Sequence, residues 1–258
     1  MILEIDNLTG GYKKKNIVHN ISFALDEGEI LSILGPNGCG KTTLLKLILH
    51  FLPNTNGKII INNENIAKIS AKDLANLISY IPQKDSITFP YTVLEIVTMG
   101  RTNQLKPFSI PSPGDFEFAY NSLSKLKISN LADKKYTRIS GGEKQLVLIA
   151  RALCQNAKIL IMDEPTAGLD FSNQQHIMEV IEHLAQNKKT ILFTTHHPQE
   201  PFLISTKVLL MSHGSVVKFG NANEVLTTEL LEKVYKVPIE IIKIKDKSNK
   251  ERKICLIN

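Results

Sequence analysis

The 258 residues are 43% hydrophobic and 22% charged, an ordinary globular composition that excludes wholesale disorder and suits one α/β domain with insertions. Basic residues near the C-terminus contribute to the net charge of +6, which would suit nucleic acid or an anionic membrane surface, although we favour a solvated face. The three cysteines lack metal-ligand or disulfide spacing. No apolar run reaches the roughly 18 residues of a membrane span, and Met1–Asp6 carries acids where a signal peptide is basic, so we expect a cytoplasmic chain.

Short apolar runs predict strands buried on both faces, and helical patterns between several of them indicate a mainly parallel sheet. Between about residues 82 and 139 the alternation lapses into loop and a helix starting near Asp115, which predicts a helical insert. After Val237, two alternating segments, Ile239–Lys245 and Lys253–Ile257, with a turn at Ser248–Asn249, predict a hairpin. The predicted core strands are Ile30–Leu34, Ile59–Ile61, Ile78–Ile81, Ile159–Met162, Ile191–Thr194 and Val208–Met211.

The first segment with recognisable chemistry lies between the strand Ile30–Leu34 and an apolar helix. It fits the phosphate-loop pattern G-x-x-x-x-G-K-[ST]. Glycines let backbone N–H groups surround a phosphate, and the start of the helix adds positive potential. Lys41 is expected to reach the β- and γ-phosphates, and the Thr42 hydroxyl to ligate Mg²⁺. The segment reads Gly35-Pro36-Asn37-Gly38-Cys39-Gly40-Lys41-Thr42-Thr43.

A second glycine-containing segment, Ser140-Gly141-Gly142-Glu143, precedes an amphipathic helix. Ser140 and Glu143 have the spacing of a capping box, so an ordinary helix cap is one interpretation. Two glycines in a first turn are poor helix formers, however, and they favour a helix start where bare N–H groups approach an anion. We therefore predict a second phosphate-binding surface.

Two carboxylates, Asp163 and Glu164, follow the buried strand Ile159–Met162. In isolation such a pair is more often a solvated strand end. In a chain with a phosphate loop, Asp163 is expected to hold Mg²⁺, directly or through water, and Glu164 to act as the general base that polarises the attacking water.

These motifs stand in the order typical of ABC-transporter ATPases, and residues 2 to 230 resemble that family. The resemblance implies an α/β fold with a P-loop NTPase core and a mainly parallel sheet at residues 1–85 and 155–222, and an N-terminal antiparallel β part. It also implies a helical insert at about 86–154 and a C-terminal extension at 223–258. Ser140 and Gly142 of one copy would cap the γ-phosphate bound by Gly38 to Thr43 of the other, in a head-to-tail dimer with two shared sites for ATP and Mg²⁺.

Four single positions also resemble family residues. Tyr12 is similar to the aromatic residue that stacks on adenine, although a lone tyrosine near a strand is equally compatible with packing. Gln83 is similar to the glutamine that senses Mg²⁺ and the γ-phosphate, and its alternative is an ordinary loop amide. His196, rather than the adjacent His197, is similar to the switch histidine that contacts the γ-phosphate, because a proline follows two places later. Asp170 matches the loop that contacts the opposite monomer.

The implied partners are a second copy, two membrane-spanning permease subunits and, indirectly, a substrate-binding protein, at the cytoplasmic face of the membrane. Phe89–Arg101 resembles the corresponding segment of importers for metal chelates: ferric siderophores, haem, cobalamin and, in some members, molybdate or metal ions. An export ATPase and an importer of free metal ions remain alternatives. No nucleic-acid partner is expected, because the stretch between Gln83 and Ser140 is too short for the coiled coils of DNA-associated relatives.

Overall fold

The computed structural model describes residues 1–13, 15–83, 87–106, 108–245 and 251–257. The chain divides into two compact units: unit 1 consists of Met1–Ile69 and Ile181–Asn258, and unit 2 of Ser70–Val180. Unit 2 includes the whole of the predicted helical insert. Among the described residues, no helix combines the length and the hydrophobicity that crossing a membrane requires.

Strands and helices alternate along most of the chain. The strands are β1 (Leu3–Tyr12), β2 (Lys15–Leu25), β3 (Ile30–Leu34), β4 (Asn54–Ile61), β5 (Glu64–Asn65), β6 (Ile78–Ile81), β7 (Ile159–Met162), β8 (Thr190–Thr195), β9 (Lys207–Ser212), β10 (Ser215–Asn221), β11 (Ile239–Lys245) and β12 (Glu251–Ile257). The helices are α1 (Lys41–Ile48), α2 (Ala71–Leu77), α3 (Val93–Thr98), α4 (Pro113–Lys125), α5 (Gly141–Gln155), α6 (Phe171–Gln186), α7 (Gln199–Ile204), α8 (Ala222–Val225) and α9 (Thr228–Tyr235).

Unit 1 contains an antiparallel sheet in the order β2-β1-β4-β5, with bulges along β1. The expectation of an N-terminal antiparallel part is therefore confirmed. The predicted strand Ile59–Ile61 lies in this antiparallel sheet and not in the parallel one. It pairs with β1, and Ile61 lies opposite Leu3. A run of three isoleucines satisfies either environment, and only the pairing partner decides between them.

Parallel pairing in unit 1 places β3 between β8 and β9, and β10 pairs antiparallel with β9. All five residues of β3 are buried, which explains the continuous apolar run Ile30–Leu34. Leu34 lies opposite Thr195 on β8 and Leu210 on β9. Because the carboxyl ends of parallel strands meet at one edge, the residues that follow these three strands lie close together.

Unit 2 contains the parallel pair β6 and β7, with Ile81 opposite Met162, and the helices α3, α4 and α5 pack on one another. Helix α4 begins at Pro113, two residues before the predicted start, because Ser112 and Asp115 form a capping box with proline at the first position. The buried Arg101 guanidinium lies 3.1 Å from the Asp115 carboxylate and ties the loop before α4 to the helix.

The C-terminal part of unit 1 ends in the antiparallel hairpin of β11 and β12, with Ile241 opposite Cys255. The predicted hairpin is present, while its predicted turn at Ser248–Asn249 lies outside the described residues. Helix α9 and Ile239 belong to a core cluster that also includes residues of β3, β9 and α8. Apolar side chains of the C-terminal extension thus pack into the core of unit 1.

Candidate functional site

The phosphate loop of unit 1 connects β3, which ends at Leu34, with α1, which begins at Lys41. Two glycines are required by the local geometry. A Cβ atom on Gly35 would lie 2.4 Å from the Met211 carbonyl oxygen, and Gly40 caps α1 with a φ of 107°. Asn37 and Gly38 are exposed at the tip, whereas Cys39 and Gly40 are buried. The loop is therefore a backbone cradle with an open tip.

Lys41 closes this cradle from inside. Its Nζ donates to the carbonyl oxygens of Gly35, at 2.8 Å, and Pro36, at 3.2 Å. Lys41 is only 5% exposed, so its ammonium group is buried. The first turn of α1 has no acidic residue, and it continues with the half-buried Thr42 and the buried Thr43. A buried ammonium group beside a helix N-terminus, with no acidic residue in the first turn, is an environment that favours an anionic ligand.

Tyr12 ends β1, and its ring is 43% exposed. Lys46 of α1 donates from Nζ to the Tyr12 hydroxyl at 3.2 Å, and its ammonium lies 5.5 Å from the ring centroid. The ring is thus held beside the helix that starts at the phosphate loop and keeps an accessible surface. The ring is therefore not buried in a core, but its contact with Lys46 is a packing contact, and the adenine-stacking role of Tyr12 stays a prediction.

His196 is brought to the phosphate loop by strand pairing. The Gly35 N–H donates to the carbonyl oxygen of Thr195, the last residue of β8, at 3.3 Å. His196 follows Thr195 directly and therefore lies at the edge of the phosphate loop. The His196 and His197 rings lie 4.0 Å apart, and His196 is the less exposed of the two. The His196 backbone oxygen accepts a hydrogen bond from the Tyr235 hydroxyl at 3.0 Å.

In unit 2, Gln83 and Glu164 come together at the carboxyl ends of β6 and β7. Gln83 Nε2 donates to Glu164 Oε2 at 2.9 Å, and the Asp163 N–H donates to the Ile81 carbonyl oxygen at 2.9 Å. Asp163 is 3% exposed, whereas Glu164 is half-buried. Glu164 has a φ of 47°, a left-handed conformation that is uncommon for residues other than glycine and is concentrated at functional sites.

The segment Ser140–Glu143 starts α5 with a complete capping box. The Ser140 N–H donates to the Glu143 carboxylate at 2.8 Å, and the Glu143 N–H donates to Ser140 Oγ at 3.3 Å. The backbone N–H of Ser140, then its hydroxyl and the positive charge of Lys134, hold the pKa of Glu143 below its usual value. The helix cap predicted from the spacing is therefore present.

Asn173 connects this segment to the loop that carries Asp170. The Asp170 carboxylate caps α6 by accepting from the Asn173 backbone N–H at 2.8 Å and from Nδ2 at 2.9 Å. A Cβ atom on Gly142 would lie 2.3 Å from Asn173 Oδ1, whereas one on Gly141 would lie 3.7 Å from the nearest neighbour, Leu169. A larger residue at position 142 would thus require Asn173 to move, whereas a Cβ atom at position 141 would make only an ordinary van der Waals contact.

Sequence reasoning missed Asn173, Tyr235 and Gln199. The first left one signal, since Asp170 and Asn173 have the three-residue spacing of a helix cap. Tyr235 and Gln199 left none, because their partners are His196 and the backbone of β12, at separations of 39 and at least 54 residues. Such contacts are set by tertiary folding and not by a local pattern.

Unit 2 also has a cavity of about 680 Å³ between α2 and the segments 99–106 and 108–109. Its rim includes the exposed side chains of Met99 and Phe108, and Phe89 and Ile110 are exposed nearby in the chain. Exposed large apolar side chains beside a cavity, here Met99 and Phe108, are typical of a surface that contacts a partner.

Comparison with known proteins places this chain among transport ATPases. Residues 18–167, more than half of the chain, match the family model described as ABC transporter. The chain is 36% identical over 239 residues to the molybdate import ATP-binding protein MolC of Haemophilus influenzae, an alignment covering 92% of this chain and 89% of that one. It is 37% identical over 235 residues to the manganese transport system ATP-binding protein MntB of Bacillus subtilis, covering 90% and 92%.

A solved structure agrees with these relatives over the entire length. The chain is similar to an ABC transporter described as of metal-chelate type, determined in an inward-facing conformation, with a TM-score of 0.89 and 34% identity. The similarity covers 100% of this chain and 97% of that one. The mixed α/β fold inferred from the sequence is thereby confirmed.

Proposed function

The chain belongs to the ABC transporter family of ATP-binding proteins, whose members hydrolyse ATP in a cycle coupled to transport, and we propose that it powers import of a metal chelate or a metal-containing anion. In this proposal the cargo is a ferric siderophore, haem, cobalamin or molybdate. The chain acts as a head-to-tail dimer on two permease subunits at the cytoplasmic face of the membrane, supplied by a substrate-binding protein.

The hydrogen bond between Gln83 and Glu164 is the observation that carries the hydrolytic part of the proposal. A carboxylate that follows a buried strand and accepts from a neighbouring amide is held in a fixed orientation. We assign to Glu164 the role of general base, which polarises the attacking water. Gln83 would report the state of the site, because the amide that contacts Glu164 also carries an oxygen that could ligate the ion of a bound nucleotide. His196, at the edge of the phosphate loop, orients the same water.

The donors present also suit a magnesium ion. Magnesium prefers oxygen ligands, which the Thr42 hydroxyl offers in unit 1 and the buried Asp163 carboxylate and Gln83 amide oxygen offer in unit 2. When bound, the ion would neutralise phosphate charge. The phosphate loop itself, through Lys41 and the N–H groups of residues 38–43, holds the phosphates, and Tyr12 stacks on the adenine.

The second phosphate-binding surface is proposed to act in the partner's site. Ser140 already accepts from Glu143 within its own helix, and the exposed Gly141 leaves the helix start accessible. A γ-phosphate on the opposite copy would add to this cap, and Asp170 would contact the opposite monomer from the adjoining loop. The rim of the cavity beside Met99 and Phe108 is the surface that we assign to the permease.

Substitution of Glu164 by glutamine tests the hydrolytic assignment. Glu164→Gln is expected to lower ATP turnover by about 10²- to 10⁴-fold with ATP affinity preserved, because only the general base is lost. Glu182→Gln, which removes the same charge from an exposed position on α6, is the matched control and keeps the wild-type rate. Wild-type turnover in the Glu164 variant would show that the base lies elsewhere.

The same variant tests the dimer. Because it retains ATP, size-exclusion chromatography with light scattering should show a shift from monomer to dimer only when ATP and Mg²⁺ are present. Combining Glu164→Gln with Ser140→Ala should weaken that shift. A monomer at all nucleotide concentrations in the Glu164 variant would contradict two shared sites formed by this chain alone.

The cargo is tested by uptake in a host strain that lacks this chain, complemented with wild type or Glu164→Gln. Loss of labelled ferric siderophore, haem, cobalamin or molybdate uptake, restored only by wild type, supports the proposal. The similarity to a manganese transport protein makes an importer of free metal ions the second candidate, and selective loss of labelled manganese uptake would favour it.

A further inference from the structure

The four residues that follow β8, His196–Gln199, are here named the switch segment. They connect the edge of the phosphate loop, where the Gly35 N–H binds the Thr195 carbonyl oxygen, with α7, which begins at Gln199. A turn within the segment is closed by the Glu200 N–H, which donates to the His197 carbonyl oxygen at 3.2 Å. The position of the His196 side chain therefore depends on how this short stretch of backbone is held.

The first anchor of the switch segment is Tyr235, the last residue of α9. Its hydroxyl donates to the His196 backbone oxygen at 3.0 Å, and its ring packs against the core cluster of α8, α9 and β9. Burial raises the pKa of Tyr235 well above its ordinary value, so the phenol remains a hydrogen-bond donor throughout the physiological range. A donor on a packed ring fixes the carbonyl that it binds.

The second anchor is the side-chain amide of Gln199. Its Oε1 accepts from the Cys255 N–H at 3.0 Å, and its Nε2 donates to the Lys253 carbonyl oxygen at 3.2 Å. The side-chain amide thus binds backbone groups on β12, as the backbone of a neighbouring strand would. Tyr235 and β12 both lie in the C-terminal extension, so both ends of the switch segment are tied to it.

We infer that the C-terminal extension positions the switch histidine, with Tyr235 and Gln199 as the positioning residues. The inference rests on the role proposed above for His196. Loss of one anchor leaves the phosphate loop, Lys41 and Tyr12 unchanged, so ATP binding is retained. It lets the switch segment sample other backbone conformations, so only a fraction of molecules holds His196 where it orients the water.

The Tyr235→Phe variant tests the first anchor, because it removes the hydroxyl and keeps the packed ring. Single-turnover release of γ-phosphate by the full chain should slow about 3- to 10-fold, the effect of one hydrogen bond. The steady-state KM for ATP should be unchanged, and Tm should fall by no more than about 2–4 °C. Tyr120→Phe, which removes an exposed hydroxyl from α4, is the matched control and should release phosphate at the wild-type rate. A rise in KM or a fall in Tm with no change in rate would reveal a merely structural role and overturn the inference.

A double-mutant cycle separates this inference from the proposed function. In the His196→Ala background, Tyr235→Phe should have no further effect, because the group that it positions is gone. If His196→Ala alone hydrolyses ATP at the wild-type rate, the assigned role of His196 is wrong. If His196→Ala is slow but Tyr235→Phe is at the wild-type rate, or slows both backgrounds equally, the positioning role is wrong and the role of His196 stands.

The second anchor has its own measurement, which needs no turnover. In Gln199→Leu the Cys255 amide loses its acceptor, so its hydrogen exchange should accelerate together with that of residues 196–199. In Gln199→Glu the acceptor for Cys255 is kept, but a carboxylate oxygen replaces Nε2 and faces the Lys253 carbonyl oxygen. Exchange at Cys255 should therefore lie between that of wild type and that of Gln199→Leu. Equal exchange in wild type and Gln199→Leu would show that this amide pairing does not hold the segment.

Discussion

The phosphate loop before α1 and the segment Ser140–Glu143 before α5 are both glycine-containing helix starts, but they are held differently. Gly35 is fixed by a backbone neighbour, and the cap of α1 is a glycine with no side chain to donate or accept. The start of α5 is closed by its own Ser140 and Glu143 side chains, and Gly142 is fixed by the Asn173 side chain. At both helix starts a glycine lies where a Cβ atom would clash with a neighbour. The neighbour of Gly35 is the Met211 backbone, and the neighbour of Gly142 is the Asn173 side chain.

The largest expected difference between the two helix starts concerns nucleotide binding by a single copy. Lys41→Ala should weaken ATP binding about 10- to 100-fold, because charge-assisted hydrogen bonds to the phosphates are lost. Ser140→Ala should leave the affinity of the monomer unchanged, since the proposed target of Ser140 lies on another copy. Titration with a fluorescent ATP analogue measures both, with Lys125→Ala as the control for a lost positive charge. Equal weakening by both substitutions would mean that one copy uses both segments.

Stability should also distinguish the glycines. Gly35→Ala places a Cβ atom against the Met211 carbonyl oxygen, and the required backbone shift should cost about 1–3 kcal/mol in the free energy of unfolding. Gly141→Ala meets no close neighbour and replaces the poorest non-proline helix former, so it should be neutral or stabilising by up to about 1 kcal/mol. Urea unfolding at neutral pH compares them, and a destabilised Gly141→Ala would contradict the absence of a steric clash at that position.

The loss in the free energy of unfolding caused by Gly142→Ala should lie between those of Gly35→Ala and Gly141→Ala. The clashing Asn173 amide is the end of a side chain and can move. Its cost should shrink in the Asn173→Ala background, where the neighbour is absent, although that substitution also removes a partner of Asp170. The cycle is measured by urea unfolding. Strictly additive effects would show that packing against Asn173 is not what requires glycine here.

The smallest effect should come from Glu143→Gln, which keeps an oxygen acceptor for the Ser140 N–H. The pKa of Glu143 is lowered in the folded chain, so its ionisation contributes stability above the unfolded pKa, and that contribution is lost as pH falls through the folded value. Wild type and Glu143→Gln should therefore differ by at most about 1 kcal/mol at pH 7 and converge in acid. Urea midpoints compared from pH 7 to pH 3 test this, and a gap that widens in acid would be the wrong sign.

Sequence reasoning was most accurate where a pattern is local. The strands Ile30–Leu34, Ile78–Ile81 and Ile159–Met162 were predicted residue for residue, and the capping box of α5 was predicted from spacing alone. It did not assign Ile59–Ile61 to one of the two sheets, because an apolar triplet does not encode its pairing partner. The roles of the site residues remain predictions, although the structure brings Gln83 to Glu164 and His196 to the edge of the phosphate loop.

By itself, the sequence determined which residue types stand at the ends of the strands, and so the class of chemistry. Backbone dihedral preferences, hydrophobic periodicity and glycine spacing act over a few residues and can be read directly. The tertiary structure alone decided that Gln199 pairs with β12, that Tyr235 holds His196 and that Asn173 fills the space beside Gly142. The Tyr235 and Gln199 contacts close chain segments of 39 residues or more. Each of the three contacts depends on how its own unit packs, and such packing leaves no trace in a local sequence pattern.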